Sequence, residues 1–253
     1  MIELDKIYNE DCLQGMKRIA DGAVDCIITD LPYGTTACAW DSVIPFEPLW
    51  EQFKRVTKPN AAIVLFGSEP FSSALRMSNI GMWRYDWIWE KTKAPNWLML
   101  NMQPMRLHEV ISVFYQKLPT YNPQMRKGEP YSDKRTERVC PRGDDIGTLM
   151  GQTKMIPREN DGTRYPKDVI KFSNVNSGET FHPTQKPVDL LRYLILTYSN
   201  EGDTILDATI GSGTTAVAAL MEKRHFIGFE LNEEYYRKAC ERIKREQQQL
   251  TLF

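Results

Sequence analysis

The sequence lacks a paired-cysteine signature. Its five cysteines, Cys12, Cys26, Cys38, Cys140 and Cys240, are scattered, odd in number and never spaced C-x-x-C. That excludes a disulfide framework and offers no metal site. Long apolar runs are also missing: the longest, Ala61 to Phe66, falls far short of the roughly 20 residues that span a bilayer. The first residues, M-I-E-L-D-K, lack the basic-then-apolar layout of a signal peptide, so a reducing, cytoplasmic setting without a membrane partner is expected. Internal repeats and low-complexity tracts are absent. Net charge is nearly absent too, with 32 Lys+Arg against 33 Asp+Glu.

What is present is ordinary for a globular chain. Hydrophobic residues at 42% and charged residues at 26% of 253 exclude wholesale disorder and suit one large α/β domain or a core with an insert. The charge is unevenly spread. Residues 91–171 hold fifteen Lys+Arg and nine Asp+Glu, or +6, so the flanks carry −7. A sum near zero therefore does not exclude a nucleic-acid partner.

Val24 to Thr29 and Ala61 to Phe66 read as buried parallel-type strands. Leu49, Trp50, Phe53 and Val56 fall at helical spacing between them. Ser68 is expected to cap a further helix with Phe71, Ala74 and Leu75 on one face. Trp83 to Trp89 and Val110 to Tyr115 are strand candidates. The resulting βαβαββ pattern implies a sheet with helices on its faces. From 117 to 180 the periodicity disappears, and this irregular basic stretch separates a first core half, 1–116, from a second, 181–253. In the second, Val188, Leu191, Leu194, Ile195 and Tyr198 form a helical face, and Thr204 to Asp207 forms a strand. A glycine-rich turn and a helix follow, then the strand His225 to Glu230 and a last helix capped by Asn232.

Gly211-Ser212-Gly213-Thr214-Thr215-Ala216 matches G-x-G-x-x-A between a strand and a helix. Glycines there allow a sharp turn and close approach to a ligand. Glu230, at the end of the next strand, can accept both hydroxyls of a ribose. The pattern alone fits either a nicotinamide dinucleotide or S-adenosylmethionine. Asp207, four residues before Gly211, would repel a pyrophosphate and attract a cationic sulfonium ligand. The strands that must complete such a sheet are found upstream of the turn, so a circularly permuted order is expected.

The strand 24–29 runs into Asp30-Leu31-Pro32-Tyr33. An exocyclic base amine is a poor nucleophile because its lone pair is delocalised into the ring. Two acceptors on its N–H groups favour a tetrahedral nitrogen aimed at a methyl donor. The Asp30 carboxylate and the Leu31 carbonyl are suited to that task. Pro32 stiffens the turn, and Tyr33 offers a face to stack on a base rotated out of a duplex.

D-L-P-Y-G resembles the (D/N/S)-P-P-Y motif of amino DNA methyltransferases. D-A-T-I-G-S-G-T-T resembles their cofactor motif, and Phe181 to Pro187, F-H-P-T-Q-K-P, resembles the segment that precedes it. The order, catalytic turn first and cofactor turn last, is similar to that of their β class. The resemblance implies an α/β, Rossmann-like, circularly permuted sheet with an inserted target-recognition region. It implies transfer of a methyl group from S-adenosylmethionine to a base in double-stranded DNA. A cognate restriction endonuclease and a homodimer are partners known in the family. The implied cofactor set is Asp11, Asp30, Thr184, Lys186, Asp207, Gly211, Ser212, Gly213, Thr214, Thr215 and Glu230.

Asn9 to Cys12 would be the strand following Glu230 in unpermuted order, with Asp11 a partner of the adenine or, equally, a helix N-cap. Arg106-Leu107-His108-Glu109 resembles a later segment near the target base. Leu31 departs from the motif, replacing its first proline.

No Pro-Cys pair is present for covalent attack on a cytosine ring carbon. An initial Asp favours adenine N6 in this family, with cytosine N4 the alternative; a nicotinamide-dependent oxidoreductase is the reading from another class. Arg126, Lys127, Lys134, Arg135, Arg138 and Arg142 are candidate phosphate contacts, with Tyr121, Tyr131 and Tyr165 interspersed.

Overall fold

The computed structural model describes residues 2–35, 41–94, 96–132, 159–175 and 180–250. Among these, in chain order, run β1 (Lys6–Tyr8), α1 (Cys12–Met16), β2 (Val24–Thr29), α2 (Phe46–Val56), β3 (Thr57–Gly67), α3 (Phe71–Ser78), β4 (Trp83–Glu90) and β5 (His108–Phe114). The short strands β6 (Arg126–Lys127), β7 (Tyr131–Ser132), β8 (Glu159–Asn160) and β9 (Thr163–Arg164) follow. The chain then forms β10 (Val169–Lys171), α4 (Val188–Tyr198), β11 (Thr204–Asp207), α5 (Thr214–Met221), β12 (His225–Phe229) and α6 (Glu233–Leu250).

Eight strands form one sheet in the order β1-β12-β11-β2-β3-β5-β4-β10. Only β5 runs against its neighbours. The alternating side chains of the buried strands build two cores. On one face Cys26, Ile28, Val64, Ile205 and Phe226 pack under α4, α5 and the Ala239 and Ile243 face of α6. On the other, Ile27, Ile63, Leu65, Leu206 and Ile227 pack under α1, α2 and α3. The late helices thus cover one face and the early helices the other.

This arrangement decides where a ligand can sit. Strand β11 leads through α5 to β12 on one side, and β2 leads through α2 to β3 on the other. The two strands are paired in parallel, Ile205 to Cys26 and Leu206 to Ile27. The chain therefore leaves their carboxyl ends in opposite directions, at the point where the strand order reverses, which is where open α/β sheets bind ligands. The permuted order expected from the motifs is the one observed.

Several local expectations change. The strand beside β12 is Lys6–Tyr8, not Asn9 to Cys12, with Tyr8 opposite Phe229. Asn9 instead turns the chain, donating from Nδ2 to the Glu230 carbonyl at 2.8 Å. Asp11 caps α1, accepting from the Gln14 amide at 3.1 Å. Ser68 does not cap α3: Pro70 occupies the cap position with no side-chain bond. In α3 Ser72 is buried and Ala74 exposed, because the helix begins at Phe71 and its inner face follows from there.

A second compact unit spans Pro123–Pro166, narrower than the 117–180 expected. Asn122 belongs to the core, its amide bonded to the Thr197 carbonyl at 2.8 Å, and β10 extends the main sheet alongside β4. A three-residue edge strand flanked by polar residues leaves little periodicity to read. Within the second unit β6 pairs with β9 and β7 with β8, both antiparallel. Arg126 and Lys127 are exposed there, and the Arg164 guanidinium lies over the Tyr131 ring at 4.5 Å. Lys134, Arg135, Arg138 and Arg142 lie outside the described residues. No described helix is long and apolar enough to cross a membrane.

Candidate active site

A cavity of about 360 Å³ opens between the ends of β2 and β11, within the size range of small-molecule sites. Of the fourteen residues expected at the site, thirteen line it: Asp11, Asp30, Leu31, Pro32, Tyr33, Thr184, Lys186, Asp207, Gly211, Ser212, Thr214, Thr215 and Glu230. Gly213 does not. At φ +75° it turns the chain into α5, and a Cβ there would press on Ala239 at 3.3 Å and Ile243 at 3.4 Å. The lack of a Cβ there lets the turn pack closely against α6.

Gly211, at φ +52°, packs beside the His182 ring and donates its amide to Glu230 Oε2 at 2.9 Å. The Asn232 amide donates to Glu230 Oε1 at 2.7 Å. Each carboxylate oxygen has a second acceptor position, so Glu230 can still accept hydroxyls. Burial pushes its pKa up, against these amide donors. Asp207 accepts from Thr215 Oγ1 at 2.6 Å and from the Thr209 amide at 3.1 Å. Burial raises its pKa to about 6 even so.

The D-L-P-Y turn joins the same wall. Thr209 Oγ1 donates to the Asp30 carbonyl at 3.0 Å and lies 2.9 Å from Thr29 Oγ1. Leu31 turns its side chain into the core under α1 and α2, which explains why leucine serves where proline is usual. The Tyr33 hydroxyl donates to Asp30 Oδ1 at 2.5 Å, and one face of its ring stacks on Phe71 at 4.9 Å.

The other Asp30 oxygen is held by Lys186, whose Nζ lies 2.5 Å from Oδ2 and 3.4 Å from Glu109 Oε2. Glu109 Oε1 pairs with Lys91. Two carboxylates and two ammoniums thus alternate in a buried row. Burial opposes the Lys186 charge, but Asp30 and Glu109 outweigh it and hold its pKa above the usual lysine value. For Asp30, burial and Glu109 raise the pKa against the pull of Lys186. Glu109 was not anticipated: its segment was noted, but β5 runs antiparallel and so begins, rather than ends, at the ligand edge. His108 beside it is exposed.

The residues fit a cationic ligand with a ribose. Among the described lining residues Lys186 is the one fixed cation, and it is committed to Asp30 and Glu109. His182 is neutral at ordinary pH, its pKa lowered to about 4 by burial and by Lys186. Apart from Asp30, the acidic residues of the wall are Glu10, Asp11, Asp41, Asp207 and Glu230. A pyrophosphate would meet Asp207 and find the Gly211 amide already taken, which disfavours a nicotinamide dinucleotide.

A pH dependence follows. In the cofactor-free protein Asp207 is largely neutral below pH 6 and charged above it. Its raised pKa adds stability below the unfolded value, lost as pH rises through 6. A bound cation favours the charged form. Affinity for S-adenosylmethionine should therefore tighten between pH 5 and 7 by up to about tenfold per pH unit. Calorimetry across that range checks it; a flat profile, or an unchanged one in Asp207→Asn, sinks the assignment.

A family model described as DNA methylase matches residues 24–241. The type II methyltransferase M.BglII of Bacillus subtilis is 29% identical over 256 residues, covering 92% of this chain and 67% of that protein. The type II methyltransferase M.HpaI of Haemophilus parainfluenzae is 28% identical, covering 95% and 74%. Among solved structures, the M1.HpyAVI–SAM complex has a TM-score of 0.61 at 22% identity, covering 94% of this chain and 98% of that one. The cytosine-N4-specific PvuII DNA methyltransferase has a TM-score of 0.64 at 16% identity, covering 95% and 90%. At such identities the structures speak for the fold.

Proposed function

From a chain that belongs to the DNA methylase family and uses S-adenosylmethionine, we propose a DNA methyltransferase acting on the exocyclic N6 of adenine. When bound, the cofactor supplies a methyl group activated by the sulfonium. Every other task falls to the chain. Glu230 accepts the ribose hydroxyls, Asp207 faces the ammonium end, and Asp11 and the Gly211 turn line the remaining wall. Asp30 accepts one amine hydrogen and the Leu31 carbonyl the other. Tyr33, which lines the cavity, stacks on the extruded base.

The observation that carries this reading is the Asp30 carboxylate. It is fixed on both oxygens, by Tyr33 and by Lys186, within the cavity that Glu230 and Asp207 share. Each of those oxygens keeps a lone pair for an amine hydrogen. The unit Pro123–Pro166 is proposed to read the DNA, with Arg126 and Lys127 on phosphates, so affinity should fall steeply with salt. The relatives are named type II methyltransferases, which supports a modification role beside an endonuclease.

Expression in a methylation-deficient bacterium, followed by sequencing-based mapping and nucleoside mass spectrometry, tests the whole reading. N6-methyladenine at one short sequence is expected. N4-methylcytosine instead would overturn the choice of base, and no new methylation would overturn the DNA substrate.

A further inference from the structure

Between β4 and β5 lies a loop, described over residues 91–94 and 96–107, whose apolar side chains the catalytic reading leaves unused. Leu98, Met99, Leu100, Met102, Met105 and Leu107 are all exposed in it, Leu98 at 77% and Met102 at 81%. Single exposed apolar residues are ordinary, but six within ten positions form a patch that needs a partner.

The loop is held in shape without burying those side chains. Asn96, only 6% exposed, braces it from within. Its Nδ2 donates to the Pro104 carbonyl at 2.9 Å, and its Oδ1 accepts from the Arg106 amide at 2.9 Å. The Lys91 amide closes the neck onto the Leu107 carbonyl at 2.7 Å.

Its place and charge point to one occupant. Strands β3 and β4 both run against β5, so β4 ends at the same sheet edge as β2. Lys91 at the neck and Glu109 just after it belong to the row that reaches Asp30 through Lys186. Residues 91–107 contain Lys91, Lys93 and Arg106 and no acidic residue. An apolar, acid-free loop beside a site that takes an extruded base matches a polyanion with an apolar interior. Apolar side chains pushed between base steps unstack a duplex, and they fill the gap a flipped base leaves.

We propose that Leu98 and Met102 form a wedge that enters double-stranded DNA at the target base and opens it. This rests on the proposed DNA substrate. The neck of the wedge is joined to the catalytic aspartate by ion pairs, so opening and orientation of the amine are mechanically linked.

The test compares the full-length protein with Leu98→Ser/Met102→Ser on two duplexes carrying the mapped site. One is fully paired; the other has a mismatch opposite the target base. Both positions are exposed, so melting temperature and S-adenosylmethionine affinity should be unchanged. Transfer to the paired duplex should fall by about tenfold or more, and 2-aminopurine at the target position should brighten less. Transfer to the mismatched duplex, where opening is already done, should stay within about twofold.

An unchanged rate on the paired duplex, or an equal loss on both, overturns the wedge. A dimer in the unaltered protein that the variant splits, with equal loss on both duplexes, assigns the patch to a second copy and overturns it as well. If the unaltered protein methylates neither duplex, the proposed substrate fails and the wedge falls with it. That result is read before any variant is compared.

Discussion

Asp30→Ala should lower methyl transfer by about a thousandfold, measured as kcat at saturating cofactor so that weaker binding drops out. The carboxylate is the acceptor that turns a delocalised amine into a nucleophile, and alanine leaves the Leu31 carbonyl alone to orient it. The loss should fall on kcat rather than on DNA affinity, because the contact matters most as the nitrogen becomes tetrahedral. Asp30→Asn keeps one acceptor oxygen and the side-chain shape, and should fall between the two. Filter-binding with DNA and single-turnover transfer separate the effects. A variant that transfers at the unaltered rate would remove Asp30 from the mechanism.

The second large effect is expected at Lys186. Its ammonium is the shared counter-ion of Asp30 and Glu109, all three largely buried. Lys186→Met leaves two carboxylates facing each other with Lys91 as their one remaining cation in the row. Breaking a buried pair from one side typically costs about 3–5 kcal/mol, and chemical denaturation should report a loss of that order. Glu109→Leu added to Lys186→Met removes one stranded carboxylate and should restore part of it.

A merely structural role would stop at stability. Burial and Glu109 already raise the Asp30 pKa against Lys186, so removing the ammonium raises it further. The ionised acceptor is then lost at a higher pH, and the acidic limb of the kcat profile should move upward. Lys186→Arg keeps the charge and should leave that limb close to its original position. An acidic limb that stays in place in Lys186→Met, with transfer unimpaired, would mean that Lys186 does not tune Asp30.

These two residues also mark the boundary between what a chain reads out locally and what it does not. Lys186 was expected on the cofactor side from the F-H-P-T-Q-K-P segment. It does line the cavity, but its ammonium lies on the catalytic aspartate. Glu109 lay in a segment that resembles one near the target base, but nothing local singled it out as the partner of Lys186. It lies near the start of a strand whose later residues are buried, and its importance depends on β5 running antiparallel to its neighbours in the sheet. Gly213 adds a second demand that the motif does not show, close packing of the turn against α6.

Strands β2 to β5, β11 and β12, helices α2 to α6, the glycine turn and the D-L-P-Y turn were determined by the sequence itself; the place of β1, the cap of α3 and the edge strand β10 were not. Alternation, helical spacing, capping by Asn232 and positive φ are properties of neighbouring residues, and they persist whatever the chain packs against. Only the tertiary structure decided that β11 lies beside β2, that Lys186 meets Asp30 across 156 positions, and that Asp207 is buried enough to titrate near 6. Charge, burial and counter-charge act through space and weaken with distance and with water. Their effect on any one carboxylate is undefined until the sheet brings distant segments together.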